Sequence, residues 1–274
     1  MKKLATAKRV FQTRGIAGIG ATLRTKYANK WLGKEHNWCY GKLVELRGNE
    51  VTIDGCLFSL DSAAIATKIK SSFLFGEYEK PEREAIRRFL NPNLPVVEFG
   101  GSVGVVACIT NRRLADPRHH IVVEANPALI PILKKNRDLN QCQFEILPCM
   151  VGYGSDQGTF YASTTNFLTS TSISGDFTES ANLTTVNTTN LLSVLEQHRF
   201  PRCTLICDIE GGEADLLKHE SAVLSSRVSM LMMEVHDQLL GEERAAQVLD
   251  QIHGIGFETV YAETDTYVFQ NRRM

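Results

Sequence analysis

From Val96 onward, runs apolar on both faces alternate with segments whose apolar positions recur at helical spacing. The first kind predicts central parallel strands at 96–100 (VVEFG), 121–125 (IVVEA), 144–147 (FEIL), 204–209 (TLICDI) and 228–235 (VSMLMMEV). The second kind predicts helices over about 103–114, 128–138, 189–198, 213–219 and 242–253. The last stretch, GFETVYAETDTYVFQNRR, places two short strand-like runs about a hydrophilic turn, as an antiparallel edge hairpin would. Together they make an α/β fold: a seven-stranded, mostly parallel sheet with one antiparallel edge strand and crossover helices.

Residues 1–75 form a second unit, read as an N-terminal extension to a main domain over 76–274. A basic, helix-compatible stretch comes first. The run GKLVELRGNEVTIDGCLFSL then alternates on either side of Arg47-Gly48-Asn49 and predicts a β-hairpin turning there. A helix from Asp61 to Lys70 is expected to lead into a second over Pro81 to Leu90. Ser163 to Asn190, rich in Thr, Ser and Asn, is expected to be a long loop.

Composition changes this picture little, and the placement of charge changes it more. The net charge of -1 argues against nucleic acid as a partner of the whole surface. Nine Lys or Arg residues from Lys2 to Lys34 precede the first acid, Glu35, which raises peripheral membrane contact through residues 1–34 beside a plain solvated helix. Asp138 to His198 contains no Lys or Arg, so what meets that region is not a phosphate backbone. Seven scattered cysteines without zinc spacing fit a reducing compartment, and the expected location is cytoplasmic, with the inner membrane face as its periphery.

Candidate chemistry gathers at the carboxyl ends of the strands, where open parallel sheets bind ligands. Gly100, Gly101 and Gly104 break the first strand within five residues, which by itself asks only for a tight turn. Ser102 occupies the position of the second glycine of a dinucleotide fingerprint, leaving E-x-G-x-x-x-G from Glu98 to Gly104. A carboxylate about 4 Å from a pyrophosphate would cost it roughly 1 to 4 kcal/mol. S-adenosylmethionine, with an ammonium and a sulfonium and no phosphate, carries no such penalty. Glu124, twenty residues after Gly104, is placed to accept from ribose hydroxyls, and Asn126 either contacts adenine or caps the next helix. Asp208, Glu210, Glu234 and His236 end two later strands, and burying such groups together calls for a cationic or hydroxylic partner.

The motifs GEYEKPE (76–82), VVEFGGSVGVV (96–106), VVEANP (122–127), NRDLN (136–140), CDIEGGEADLL (207–217) and MEVH (233–236) together resemble the FkbM-type family of S-adenosylmethionine-dependent methyltransferases. The resemblance spans residues 76 to 260 and implies a class I methyltransferase, Rossmann-like, in a family whose characterised members commonly O-methylate sugars or polyketide hydroxyls. It further implies that Glu98, Gly100, Gly101, Ser102 and Gly104 shape the cofactor turn, that Glu124 binds ribose, and that Ala125 and Asn126 lie by adenine. Glu79 would reach the methionine end, Asp208 and Glu210 would face the transferred methyl, and Glu234 and His236 would close the acceptor side. Glu98 and Gly101-Ser102 depart from the family's usual Asp and Ala-Asn.

An alcohol acceptor must lose a proton. His236 is the first candidate for general base and Asp208 or Glu210 the second. A divalent ion held by Asp208, Glu210, Glu234 and His236 is the other reading of the cluster, ranked below a metal-free site. The expected acceptor is a small molecule or glycan offering a sugar hydroxyl. Rival readings are a non-sugar or protein acceptor, a non-catalytic S-adenosylmethionine-binding protein, and an NAD-dependent oxidoreductase, whose fingerprint is missing.

Overall fold

The structure, a computed structural model, describes residues 37–163, 181–236 and 240–274. The basic stretch 1–34 and the Thr169–Ser174 segment lie outside the described residues.

Seven strands form the central sheet, in the order β11-β12-β10-β9-β3-β4-β5. They are β3 (Val96–Phe99), β4 (His120–Val123), β5 (Glu145–Leu147), β9 (Cys203–Cys207), β10 (Val228–Glu234), β11 (Phe257–Glu263) and β12 (Thr266–Asn271). β5, β4, β3, β9 and β10 run parallel, while β12 is antiparallel to both neighbours. β12 therefore lies inside β11, and the reason is burial: its side chains are mostly buried, whereas β11 exposes Glu258 and other positions that suit an edge. This is the class I methyltransferase arrangement expected from the sequence. The chain proceeds from β3 to β4 and β5 on one side and returns to β9 on the other, so β3 and β9 flank the switch point where a crevice opens.

Alternation along the strands divides the core in two. Val96, Val122 and Ile206 face α3 (Lys80–Phe89), α4 (Val105–Asn111) and α5 (Ile130–Leu139). Val97, Phe99, Val123 and Leu205 face α6 (Leu191–Gln197), α7 (Glu213–Arg227) and α8 (Glu242–Gly254). Each helix sits where the periodicity expects one, but α7 continues to Arg227, past a kink at Glu220 with φ −122°. Glu220 turns inward there. Its carboxylate accepts from the Leu191 and Leu192 amides, both at 2.8 Å, at the start of α6.

The N-terminal hairpin is displaced from its expected place. Trp38–Leu46 is a helix, α1, begun by Asn37, whose side chain accepts from the amides of Cys39 and Tyr40. β1 (Glu50–Ile53) and β2 (Cys56–Ser59) pair about Asp54-Gly55, both at positive φ, the stronger two-residue hairpin turn. Arg47-Gly48-Asn49 ends α1 instead. α2 is only Lys70–Leu74, shorter than and C-terminal to the helix expected over 61–70, and that stretch is mostly turns.

The hairpin is clamped onto α5. Asn136, fully buried, accepts from the Ser59 amide at 2.7 Å and donates to the carbonyls of Ser59 at 3.1 Å and Val103 at 2.8 Å. One turn later, Asn140 brackets Leu57 in the same way, at 2.9 and 2.8 Å. The NRDLN motif is thus structural: it joins the hairpin to the glycine turn. Val44 and Phe58 share one hydrophobic cluster with Val96 and Val122 of the sheet.

The Thr-rich stretch departs from expectation too. β6 (Cys149–Val151), β7 (Gln157–Ser163) and β8 (Ala181–Thr189) form a three-stranded sheet, with β8 parallel to β6 and antiparallel to β7. The β-branched Thr184, Thr185, Thr188 and Thr189 that suggested a loop suit a half-exposed strand. No helix among the described residues is long and apolar enough to cross a membrane.

Candidate active site and cofactor cleft

β3 ends in a turn that only glycine permits at one position. Gly100 has φ +96°, and a Cβ there would collide with the Asp208 carbonyl oxygen and lie 2.9 Å from its carbon. The β3–α4 turn and the β9–α7 turn therefore touch backbone to backbone. Gly104, at φ +89°, is the residue before α4. Gly101 packs against Val122 and Leu133, behind the turn.

Between these turns lies a cleft enclosing about 760 Å³, part of it open to solvent. Gly100, Ser102, Glu124, Ala125, Asn126, Asp208 and Glu210, all singled out from the sequence, line it. Glu124 is almost fully buried and binds both loops: one oxygen accepts from the Ser102 amide and the other from the Asn126 amide, each at 2.6 Å. Burial pushes its carboxyl up to about 7 against those hydrogen bonds. Ser102, at φ +46°, also meets the Tyr78 hydroxyl at 2.9 Å. Asn126 accepts from the Ala128 amide at 3.0 Å in a turn ahead of α5, whose first residue is Ile130, so it does not cap that helix; it remains on the cleft wall.

Several cleft residues escaped the sequence reading. Leu129, Met150, Val151 and Phe160 supply an apolar part of the cleft wall. Met150 and Phe160 belong to the three-stranded sheet, which carries no motif, so only strand pairing brings them here. Tyr78 lies within GEYEKPE and was legible from its place in that motif.

Two expected cofactor residues stand apart. Glu98 does not line the cleft. Strand alternation turns it beneath α4, where its Oε2 lies 3.2 Å from His120 Nε2 and both residues are buried. Burial pushes Glu98 well up and His120 down to about 3, which favours the uncharged form of each. Its charge therefore does not decide what binds in the cleft; the missing second glycine and the acids beyond β9 carry that argument. Glu79, at φ +49° before α3, is also absent from the cleft wall, and its Oε2 accepts from the Val106 amide at 3.3 Å. Burial, then Glu82 and Asp208, push its carboxyl well above the usual range.

Asp208 and Glu210, expected to face the methyl, do meet Glu234 and His236, expected on the acceptor side, and the first two line the cleft. His236 Nε2 lies 3.4 Å from Asp208 Oδ1, 3.4 Å from Glu210 Oε2 and 3.6 Å from Glu234 Oε1. Its Nδ1 faces Glu213 Oε1 at 3.0 Å. Glu213, fully buried in the first turn of α7, was not singled out from the sequence; its other oxygen has no hydrogen-bond partner among the described residues. Glu210 is held at φ +51°, a strained conformation that turns it toward the cluster.

Burial raises Asp208 to about 6, Glu210 to about 8 and Glu234 to about 12. Burial alone would lower His236, but the Glu213 hydrogen bond and the charges of Asp208 and Glu210 outweigh it and carry it to about 10. His236 does not line the cleft, whereas Asp208 and Glu210 do.

The cleft fits S-adenosylmethionine: a carboxylate for a ribose diol, an apolar wall for a purine, and acids for the cationic end. The profile described as Methyltransferase FkbM domain matches residues 98–259. No curated protein sequence matches the chain. Among solved structures, the ribosomal protein L11 methylase from Lactobacillus delbrueckii subsp. bulgaricus is 9% identical with a TM-score of 0.41, covering 72% of this chain and 80% of that one. The precorrin-6y C5,15-methyltransferase from Geobacter metallireducens GS-15 is 8% identical with a TM-score of 0.41, covering 71% and 86%. TYW2 from M. jannaschii in complex with AdoMet is 14% identical with a TM-score of 0.39, covering 81% and 83%. With the profile covering more than half of its length, the chain belongs to the FkbM methyltransferase family and is an S-adenosylmethionine-dependent methyltransferase.

Proposed function

We propose that the protein transfers the methyl group to a hydroxyl of an uncharged, polyhydroxylated acceptor such as a sugar or glycan. One observation carries this reading: Asp208 and Glu210 line the cleft, and no Lys or Arg is among the described residues that line it. Such a lining offers hydrogen-bond acceptors for hydroxyls and nothing to hold a phosphate or carboxylate. Carboxylates would also keep an amine in its protonated form, which lacks the lone pair needed for attack. An alcohol gains from the same groups, because it must shed a proton to attack.

S-adenosylmethionine supplies an activated methyl carbon. Glu124 and the apolar wall fix the position of that carbon, and alignment with the acceptor oxygen supplies much of the rate. As the new O–CH3 bond forms, the C–S bond breaks and its electron pair returns to sulfur. The hydroxyl proton passes to the Asp208 or Glu210 carboxylate, each within the cleft.

Transfer of labelled methyl to a panel of glycans, glycolipids, small alcohols and amines tests the reading. Label is expected in hydroxyl compounds, with sugars foremost. Label confined to amines or protein nitrogen would overturn it.

A further inference from the structure

The cluster beyond the cleft holds more acid than proton transfer needs. Asp208, Glu234 and His236 each offer one ligand atom, and these atoms lie within 4.8 Å of one another, the one such group found among the described residues. The sequence alone could not fix those distances; the fold does.

Three features go beyond a mere gathering of acids. The first is His236 itself. Its Nδ1 is held by the fully buried Glu213, which orients Nε2 toward the carboxylates, the arrangement that commonly fixes a metal-binding imidazole. The second is bonding capacity at the same point: Asp208 Oδ1 is a buried oxygen that makes no hydrogen bond among the described residues and lies 3.4 Å from Nε2. The third comes from a different element. Glu82, on α3, lines a second cavity of about 260 Å³ with Asp208 and Glu234, and its Oε2 is likewise buried with no partner among the described residues while Oε1 accepts from Thr266 at 2.6 Å. Buried oxygens without donors are costly unless a cation joins them.

We propose that Asp208, Glu234 and His236 bind a divalent cation of the Mg2+ or Mn2+ class beside the cofactor cleft, with Glu213 as the positioning residue. Two of the separations are near those of such a site: adjacent ligands about 2.1 Å from an octahedral ion stand about 3.0 Å apart, against 3.4 and 3.6 Å from Nε2 to its two partners. All three ligand atoms lie within 4.8 Å of one another. Three protein ligands leave coordination positions open, and two carboxylates with one imidazole favour a hard ion. The inference deepens the reading of a hydroxyl acceptor, on which this part rests: an ion there selects an acceptor whose hydroxyl has a neighbouring oxygen, so that both can bind it.

Mn2+ binding to the full chain, freed of metal by chelation and followed by the electron paramagnetic resonance of free Mn2+, tests this without cofactor or acceptor. One ion per chain is expected. Asp208→Asn and His236→Gln should abolish binding, Glu213→Gln should weaken it about tenfold or more, and the exposed Glu258→Gln should leave it unchanged. No binding at millimolar Mn2+, or binding that survives both ligand substitutions, overturns the site. If a variant fails to fold, electron spin echo on the unaltered protein decides: nitrogen modulation from an imidazole supports the site, and bound Mn2+ without it overturns it. Methyl transfer to a hydroxyl that is undiminished by EDTA would sink the ion and leave the proposed function standing. Site-bound Mn2+ with label only in amines would do the reverse.

Discussion

Replacing Gly100 with alanine should damage this protein more than the same change at another positive-φ glycine, because two separate costs meet there. The first is conformational: an L-residue at left-handed φ costs roughly 1 to 2 kcal/mol. Gly154, at φ +81° with nothing within 4 Å of a would-be Cβ, isolates that term. At Gly100 the added methyl also collides with the Asp208 backbone, whose carbonyl carbon would be 2.9 Å away and has no flexible end to swing aside. Overpacking of this kind adds about 1 to 3 kcal/mol. Gly100→Ala should therefore lose about 2 to 5 kcal/mol, and Gly154→Ala about 1 to 2. At roughly 2 to 4 °C per kcal/mol for a chain of this size, the two melting curves should separate clearly. The change should also weaken binding of S-adenosylhomocysteine, since the methyl drives the turns bearing Ser102 and Asp208 apart. Equal melting temperatures for the two variants, with product binding intact in Gly100→Ala, would refute the claim that these loops are in backbone contact.

Two further outcomes are expected. Glu124, pushed up to about 7 by burial, accepts from ribose best as a carboxylate, so affinity for S-adenosylhomocysteine should rise as pH rises through that value. From pH 6 to pH 8 the ionised fraction grows roughly tenfold, and calorimetry should find a comparable tightening that Glu124→Gln removes; a pH profile unaltered by that substitution would contradict the role. Asn136→Ala deletes three buried hydrogen bonds and strands the Ser59 backbone groups, a loss of about 3 to 5 kcal/mol in denaturant unfolding. A loss below about 1 kcal/mol would mean the hairpin is not clamped through this residue.

What the sequence determined by itself is what near neighbours along the chain decide. Hydrophobic period distinguished the strands from the crossover helices, and strand ends in a parallel sheet share one edge, so Asp208, Glu210, Glu234 and His236 could be expected together before any coordinates. The turn glycines and Glu124 were legible for the same reason. Local reading failed where two local patterns compete: KLVEL alternates like a strand, but the Asn37 cap and the Asp54-Gly55 turn settled it as the end of a helix before a shorter hairpin. The Thr-rich run became β8 only because β6 and β7 stand on either side of it.

Tertiary structure alone decided the environments. Glu98 is one residue from Phe99 and two from Gly100, yet the pleat sends it to the opposite side of the sheet from the Phe99 side chain, where it meets His120. His236 has an ordinary imidazole in the sequence. Only the convergence of α7 with the ends of β9 and β10 surrounds it with Glu213, Asp208, Glu210 and Glu234. Periodicity fixes the side of an element on which a residue lies, whereas charge state and metal affinity depend on what a second element brings within about 4 Å, and no local pattern encodes that distance.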